Sequence, residues 1–230
     1  MTDGALFAGK SFLTGKTLAV FDAYGTLLDV NSAVVRYARD IGGDADAFSG
    51  LWRTKQLEYS WVTGLMGRYA SFWLLTEHAL DYALERYPDI DRALRAALLD
   101  AYRSLDAYPD ATDTLHTLRR RGVRTAILSN GDASMLAASV SAAGLAEGLD
   151  AILSVDPAGI FKTAPAAYEI VLRHFRAIAS EVVFFSSNRW DIAGATSFGF
   201  DSVWVNRSDL PDEYADLAPV EVIASLSQIA

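Results

Sequence analysis

Cysteine is absent from the 230 residues. Its absence excludes a disulfide framework, a thiolate nucleophile and any cysteine-based metal site, and it fits a reducing compartment. Histidine is scarce: His78, His116 and His174 all fall within helical patterns, and none has a metal-ligand partner at suitable spacing. Positive charge is in deficit, with 20 Lys and Arg against 29 Asp and Glu and a formal net charge of -9. Binding a phosphate backbone needs clustered Lys and Arg, so nucleic acid is not an expected partner. The cluster Arg119-Arg120-Arg121 has an ordinary home in the last turn of a helix. No apolar run is long enough to span a bilayer or to form an export signal, and Met1–Lys16 reads as a loose leader before the first strand. These absences imply a soluble, cytoplasmic chain with no membrane partner.

What is present points to an ordered core. Hydrophobic residues make up 51% and charged residues 21%, with aromatics spread along the chain, enough for one substantial core or for a core domain with a small satellite. Short apolar runs end abruptly in small or polar residues: Thr17–Phe21 before Asp22, Thr125–Leu128 before Ser129, Ala151–Leu153 before Ser154, Val182–Phe185 before Ser186, and Val203–Val205 before Asn206. Runs of this kind suit strands buried on both faces. Helical stretches with clear stops lie between them, over Ala111–Arg121, Ser134–Ala143 and Pro165–Ile178. The alternation predicts an α/β fold with a Rossmann-like, doubly wound parallel sheet, whose ligands bind beyond the carboxyl ends of the strands.

One interval breaks the rhythm. From Val30 to Leu105 only helical patterning is found: Ser32–Asp40, Ala45–Met66, Tyr69–Arg86 and Asp91–Leu105. This is too long for an ordinary connection. It reads as a helical cap domain, residues 30–105, inserted after the first strand of a core made of 1–29 and 106–230.

Chemistry-bearing residues gather at the expected strand ends. In Phe21-Asp22-Ala23-Tyr24-Gly25-Thr26-Leu27-Leu28-Asp29, a carboxylate is followed by a glycine turn whose amides can face an anion. Asp22 could equally cap the next helix. Lys162, usually a surface residue type, follows the apolar pair Ile160-Phe161 at what reads as another strand end. Ser129 and Ser186 could merely terminate strands, and Asp191 could cap a helix over Ile192–Phe198. Arg53 lies on an amphipathic helix, where a solvent-facing arginine is the default.

Together these segments resemble the haloacid dehalogenase superfamily. The Asp22 segment resembles its first motif, Ser129-Asn130-Gly131 its second, Lys162 its third, and Ser186-Ser187-Asn188-Arg189-Trp190-Asp191 its fourth, in order, over about Thr17 to Asn206. Leu51-Trp52-Arg53-Thr54-Lys55-Gln56-Leu57-Glu58-Tyr59-Ser60-Trp61, Gly64–Tyr69 and Ser197–Phe200 are similar to the L-2-haloacid dehalogenase branch. The resemblance implies a homodimeric hydrolase without metal or cofactor, acting on a small 2-haloacid and water. Asp22 would be the nucleophile. Ser129 and Lys162, with the amides of Ala23 and Tyr24, would hold the substrate carboxylate. Arg53 and Asn130, edged by Trp190, would cradle the halide. Thr26, Ser186, Asn188 and Asp191 would orient Asp22, Lys162 and the hydrolytic water. Tyr24, Leu57, Phe72 and Trp190 would wall the pocket, with Tyr168 near Lys162.

Residue chemistry argues separately for this branch. Phosphatases of the superfamily carry a second Asp two residues after the nucleophile to protonate an alkoxide. Here that position is Tyr24, and a halide leaving group needs no proton. Ser187 and Asn188 stand where phosphatases tend to have acidic ligands for Mg²⁺. Two competing readings are a Mg²⁺-dependent phosphatase and a catalytically idle binding domain. Two positions depart from the pattern. Pro165 comes three residues after Lys162 where relatives place proline directly after it, and Arg189 stands where a small residue is expected. Arg189 could face solvent, pair with a carboxylate or alter access to the halide pocket.

Overall fold

The computed structural model describes residues 11–229. Residues 1–10 of the expected leader lie outside that range. The described remainder is not loose: Ser11–Leu13 form a 3-10 turn that buries Phe12 and Leu13, and Phe12 packs edge-on against Phe185 at 6.3 Å. Two apolar residues in this turn find a place on the core, which accounts for the departure.

In chain order the elements are β1 (Leu18–Phe21), β2 (Leu28–Asp29), α1 (Ser32–Val35), α2 (Ala38–Ile41), α3 (Ala45–Leu65), α4 (Phe72–Arg86), α5 (Leu94–Tyr102) and β3 (Asp106–Ala107). Then follow α6 (Ala111–Arg120), β4 (Arg124–Ser129), α7 (Ala133–Ala142), β5 (Ala151–Ser154), α8 (Pro165–Phe175), β6 (Val182–Ser186), α9 (Arg189–Phe198), β7 (Asp201–Val205) and β8 (Glu221–Ile223). Six strands form a parallel sheet in the order β5-β4-β1-β6-β7-β8, the doubly wound α/β fold expected from the alternating runs. β1 is fully buried, hydrogen-bonded to β4 on one side and β6 on the other, and Phe21 stacks on Phe185 with ring centroids 4.8 Å apart. The winding reverses at β1, so its carboxyl end opens on the crevice where such sheets bind ligands.

The five expected strands are all present, and the structure adds β8 at the sheet's edge. Glu221 and Val222 are exposed, so this strand lacks the apolar run that marks a buried one.

α1 to α5 leave and rejoin the rest of the chain through an antiparallel ribbon, with Leu28 paired to Ala107 and Asp29 to Asp106. The expected helix over Ser32–Asp40 is broken into α1 and α2. Val34 and Val35 are poor helix formers, and Tyr37 leaves helical geometry at φ -115°, ψ 16°. Arg36, at the break, donates to Ser104 and Asp106 beside the ribbon. Residues 69–71 precede α4 rather than beginning it: Ser71 is extended and its side chain accepts from the Leu74 amide, an N-cap. α8 ends at Phe175 rather than Ile178, because Arg176 adopts a left-handed conformation.

Lys162 does not end a strand. Ile160–Thr163 form an irregular loop before α8, and Phe161 earns its apolar character by packing on Tyr69 and Phe72, at 4.8 and 5.9 Å between rings. Asp191 does not cap a helix either. It sits inside the first turn of α9, and Asn188 occupies the N-cap position.

Candidate active site

Asp22 follows β1 directly, its amide donating to Phe185 O at 2.9 Å and its side chain almost fully buried. Lys162 Nζ lies 3.0 Å from Asp22 Oδ1 and 2.8 Å from Asp191 Oδ2, so one buried ammonium joins two buried carboxylates. The other Asp22 oxygen accepts from Asn188 Nδ2 at 2.8 Å and, at 3.4 Å, from the Thr26 hydroxyl. Tyr168 donates to Asp191 Oδ1 at 2.7 Å. Asp22, Thr26, Lys162, Tyr168, Asn188 and Asp191 thus form one connected set, contributed by the turn after β1, the loop before α8, α8 itself and the start of α9.

Charge balance within the set decides its protonation. Burial alone would push Lys162 toward the neutral amine, but the charges of Asp191 and Asp22 outweigh it and hold its pKa above the usual lysine value. Burial pushes Asp191 up to about 6, aided by the charge of Asp22 and opposed by Lys162. Burial first, then the neighbouring Asp191 carboxylate, drives the Tyr168 phenol upward, so it acts as a donor.

Ser129 and Asn130 lie at the end of β4 and just beyond it. Ser129 Oγ accepts from the Gly131 amide at 3.1 Å, which leaves its hydroxyl proton to give. Asn130 Oδ1 accepts from the Lys162 amide at 2.9 Å, fixing the lysine loop and leaving the Asn130 NH₂ group as its donor. Ser186 Oγ accepts from the Asn188 amide at 3.1 Å, so Ser186 reaches Asp22 only through Asn188.

Arg53, half-buried on α3, aims NH2 at Tyr24 O, 3.4 Å away, across the crevice. Leu57 lies one turn further along α3 and is half-buried. The Tyr24 ring is buried between Phe72, at 6.2 Å, and Tyr102, at 5.8 Å. Burial raises the Tyr24 phenol pKa far above its ordinary value, so the residue at this position is a neutral aromatic wall. Trp190 meets Trp61 edge-on at 5.4 Å, and both line an open cleft of about 660 Å³ that also touches Lys162. Arg189 resolves its three options in favour of a carboxylate. It is buried, with Nε 2.6 Å from Asp212, and NH2 donates to Tyr214 O and Leu217 O.

Several residues at the site make contacts that the sequence does not show. Gly131 and Gly194 are held by close approach: a Cβ on Gly131 would stand 2.8 Å from the Tyr24 ring, and one on Gly194 would collide with the Tyr168 hydroxyl. Ser187 donates to Gly25 O and its amide donates to Thr26 Oγ1 at 2.8 Å, which orients that hydroxyl. Asp132, Gln56, Thr76 and Tyr102 complete the surroundings of Arg53 and Phe72. No group of three or more His, Cys, Asp or Glu able to hold a metal ion occurs among the described residues. Lys162 supplies the positive charge between the two carboxylates.

A buried carboxylate at the switch point of a doubly wound sheet, paired with a lysine and a second carboxylate, matches a known class. The family model for haloacid dehalogenase-like hydrolases matches residues 16–199, and the chain belongs to that class. It is 51% identical over 211 residues to (S)-2-haloacid dehalogenase 1 of Pseudomonas sp. (strain CBS-3), covering 91% of this chain and 93% of the relative. It is 48% identical over 212 residues to (S)-2-haloacid dehalogenase 4A of Burkholderia cepacia, covering 91% of each. The solved structure of L-2-haloacid dehalogenase from Xanthobacter autotrophicus with chloropropionic acid covalently bound superposes with a TM-score of 0.83, at 36% identity, covering 93% of this chain and 96% of that one. Within its class the chain belongs to the L-2-haloacid dehalogenase family, enzymes that hydrolyse carbon–halide bonds.

Proposed function

We propose that this chain hydrolyses small (S)-2-haloalkanoic acids to (R)-2-hydroxy acids and halide through an ester on Asp22. The observation that carries the reading is the pairing of Asp22 with Lys162 while position 24 holds a buried tyrosine. The carboxylate is kept available as a nucleophile, and no side-chain acid stands where an oxygen leaving group would need one.

An Asp22 oxygen attacks C2 from the side opposite the halogen. The new C–O bond forms as the C–X bond breaks, the electron pair leaves with the halide, and C2 inverts. Attack requires oxygen, carbon and halogen in line, so holding the substrate supplies much of the rate. The Ser129 hydroxyl, Lys162 and the amides of Ala23 and Tyr24 hold the substrate carboxylate. Arg53 and the Asn130 NH₂ group, beside Trp190, take the departing halide. Tyr24, Leu57 and Phe72 wall the pocket. Water then attacks Asp22 Cγ, giving one proton to Asp191, whose pKa of about 6 suits a general base near neutrality. The bond from Cγ to the product oxygen breaks, the departing alkoxide takes that proton back from Asp191 to become the 2-hydroxy acid, and Asp22 loses the second water proton to solvent as its carboxylate re-forms. Asn188 and Thr26, set by Ser186 and Ser187, hold Asp22 through both steps. Tyr168 and Lys162 orient Asp191. The covalent chloropropionate adduct in the Xanthobacter relative supports an ester route.

Residues 30–105 act as a cap over a core of 1–29 and 106–230. The contact of Arg53 with Tyr24 across the crevice supports that division. A homodimer is proposed through the outer end of α3, where Val62, Leu65 and Met66 are exposed. A cytoplasmic setting is proposed on the absence of cysteine.

The decisive assay follows halide release from each enantiomer of 2-chloropropionate in excess EDTA. We expect release from the S enantiomer, with (R)-lactate as product. No halide from either enantiomer, together with chelator-sensitive phosphate release from monoesters, would replace this reading with the phosphatase. In a single turnover in ¹⁸O-water, label entering the Asp22 carboxylate before product supports the ester; label going straight to product rules it out.

A further inference from the structure

Arg53 is not held by its own helix alone. Its NH1 donates to Gln56 Oε1 at 2.7 Å, and Tyr102 donates to the same oxygen at 3.1 Å. On its other side, Gln56 Nε2 donates to Thr76 Oγ1 at 2.6 Å, and Thr76 Oγ1 donates to Phe72 O at 2.7 Å. Gln56, Thr76 and Tyr102 are all buried, and Arg53 is half-buried. The space bounded by Trp52, Arg53, Gln56 and Tyr102 is about 10 Å³, at the lower limit for one water, so solvent has little room to replace these contacts.

The direction of every bond in this chain is forced. A backbone carbonyl only accepts, so the Thr76 proton goes to Phe72 O, and Thr76 Oγ1 must accept from Gln56. That turns the amide NH₂ toward Thr76 and its oxygen toward Arg53. The reverse orientation would set an NH₂ group against the guanidinium and leave buried donors without acceptors. We infer that Thr76 and Gln56 are positioning residues for halide departure. Through a hydrogen-bond relay of fixed polarity, α4 holds the Arg53 guanidinium against the leaving group.

The inference rests on Arg53 receiving the halide, as proposed above, and it assigns the residues that set Arg53's aim. Removing the Thr76 hydroxyl frees the amide to turn, and removing the Gln56 amide frees the guanidinium. Either change weakens the halide site without touching the groups around Asp191 that serve the water step.

The test compares wild type with Gln56→Leu, Thr76→Val, Thr76→Ser and Arg53→Ala. It measures chloride and bromide affinity by tryptophan fluorescence and by product inhibition, and the rates of ester formation and ester hydrolysis in single turnovers. Gln56→Leu and Thr76→Val should each weaken chloride binding about tenfold, the loss of one buried hydrogen bond to a charged group. Both should slow ester formation, more for chloride than for bromide substrates, and leave ester hydrolysis at the wild-type rate. Thr76→Ser, which keeps the hydroxyl, should restore wild-type values. The relay is overturned if Thr76→Val and Gln56→Leu keep wild-type halide affinity while Arg53→Ala loses it, or if they slow both steps equally. Wild-type halide affinity in Arg53→Ala would remove both the relay and the role of Arg53. If wild type binds chloride and the variants weaken it, yet no halide is released from either enantiomer, the relay stands and the proposed reaction falls.

Discussion

Asp22, Lys162 and Asp191 form a charge triplet whose members depend on one another. Asp22→Asn removes the proposed nucleophile, and halide release should fall by at least about a thousandfold, measured as steady-state kcat. Lys162→Met leaves two carboxylates buried without a counter-charge, which should cost roughly 3–5 kcal/mol in urea unfolding as well as activity. Activity and stability should respond to pH in opposite senses at Asp191. Its folded pKa of about 6 lies above that of an unfolded aspartate, so the folded state binds its proton more tightly. The contribution to stability is therefore fully present below the unfolded pKa of about 3.9 and is lost as pH rises through about 6. The proposed general base works in its ionised form. We expect kcat/KM to rise with an apparent pKa near 6, and this limb to vanish from the residual activity of Asp191→Asn.

At the scale of elements, α4 carries more of the site than its sequence suggests. Its N-terminus is closed from two directions. Ser71 takes the Leu74 amide, while Asp132, at the start of α7, accepts from the Phe72 and Trp73 amides at 2.9 and 3.0 Å. The Asp132 carboxylate thus caps a helix other than the one it precedes, and it ties Phe72 to the segment just after Ser129 and Asn130. Asp132→Ala should cost about 0.5–2 kcal/mol, the usual value of a cap, and raise KM more than it lowers kcat. Unchanged thermal unfolding and unchanged KM would remove Asp132 from this role. What sequence shows of such elements follows from where their partners lie. The buried strands were legible because both faces of each are apolar, and Asp22, Ser129 and Asp191 were legible by their motifs. Gln56, Thr76 and Asp132 were not, because polar helix residues usually face solvent and their partners here lie on other elements. The Lys162 loop was misread because Ile160 and Phe161 are apolar for the sake of neighbours outside the sheet.

At the scale of the whole molecule, the site draws on distant parts of the chain. Arg53, Leu57 and Phe72 come from the helices between β2 and β3, and the remaining groups come from strand ends, from the turns and loops near them, and from α8 and α9. Tyr69, between α3 and α4, donates to Asp156, which follows β5. The assembly has an outer face as well: Leu65 is 88% exposed at the end of α3. Light scattering should report a dimer for wild type and a monomer for Leu65→Glu if that face is the proposed interface. A monomeric wild type would refute it. The doubly wound parallel sheet was within reach of sequence patterning, and its strand order was not. The close approach of α3 to the turn after β1 was not, since no local pattern encodes which loop a distant helix will face.

The ribbon of β2 and β3 has a consequence for how such a molecule is put together. Paired strands lie about 4.8 Å apart, so everything between Asp29 and Asp106 begins and ends at one doorway. A segment whose ends already touch can be exchanged for a shorter or longer one at small entropic cost to the remainder. The sheet can therefore keep Asp22 while the helical segment between the two strands is swapped as a module. A chain with Asp29 and Asp106 bridged by a tight turn should retain the sheet, accept a transplanted helical segment at that doorway and, with residues 30–105 as the proposed cap, leave Asp22 open to bulk water.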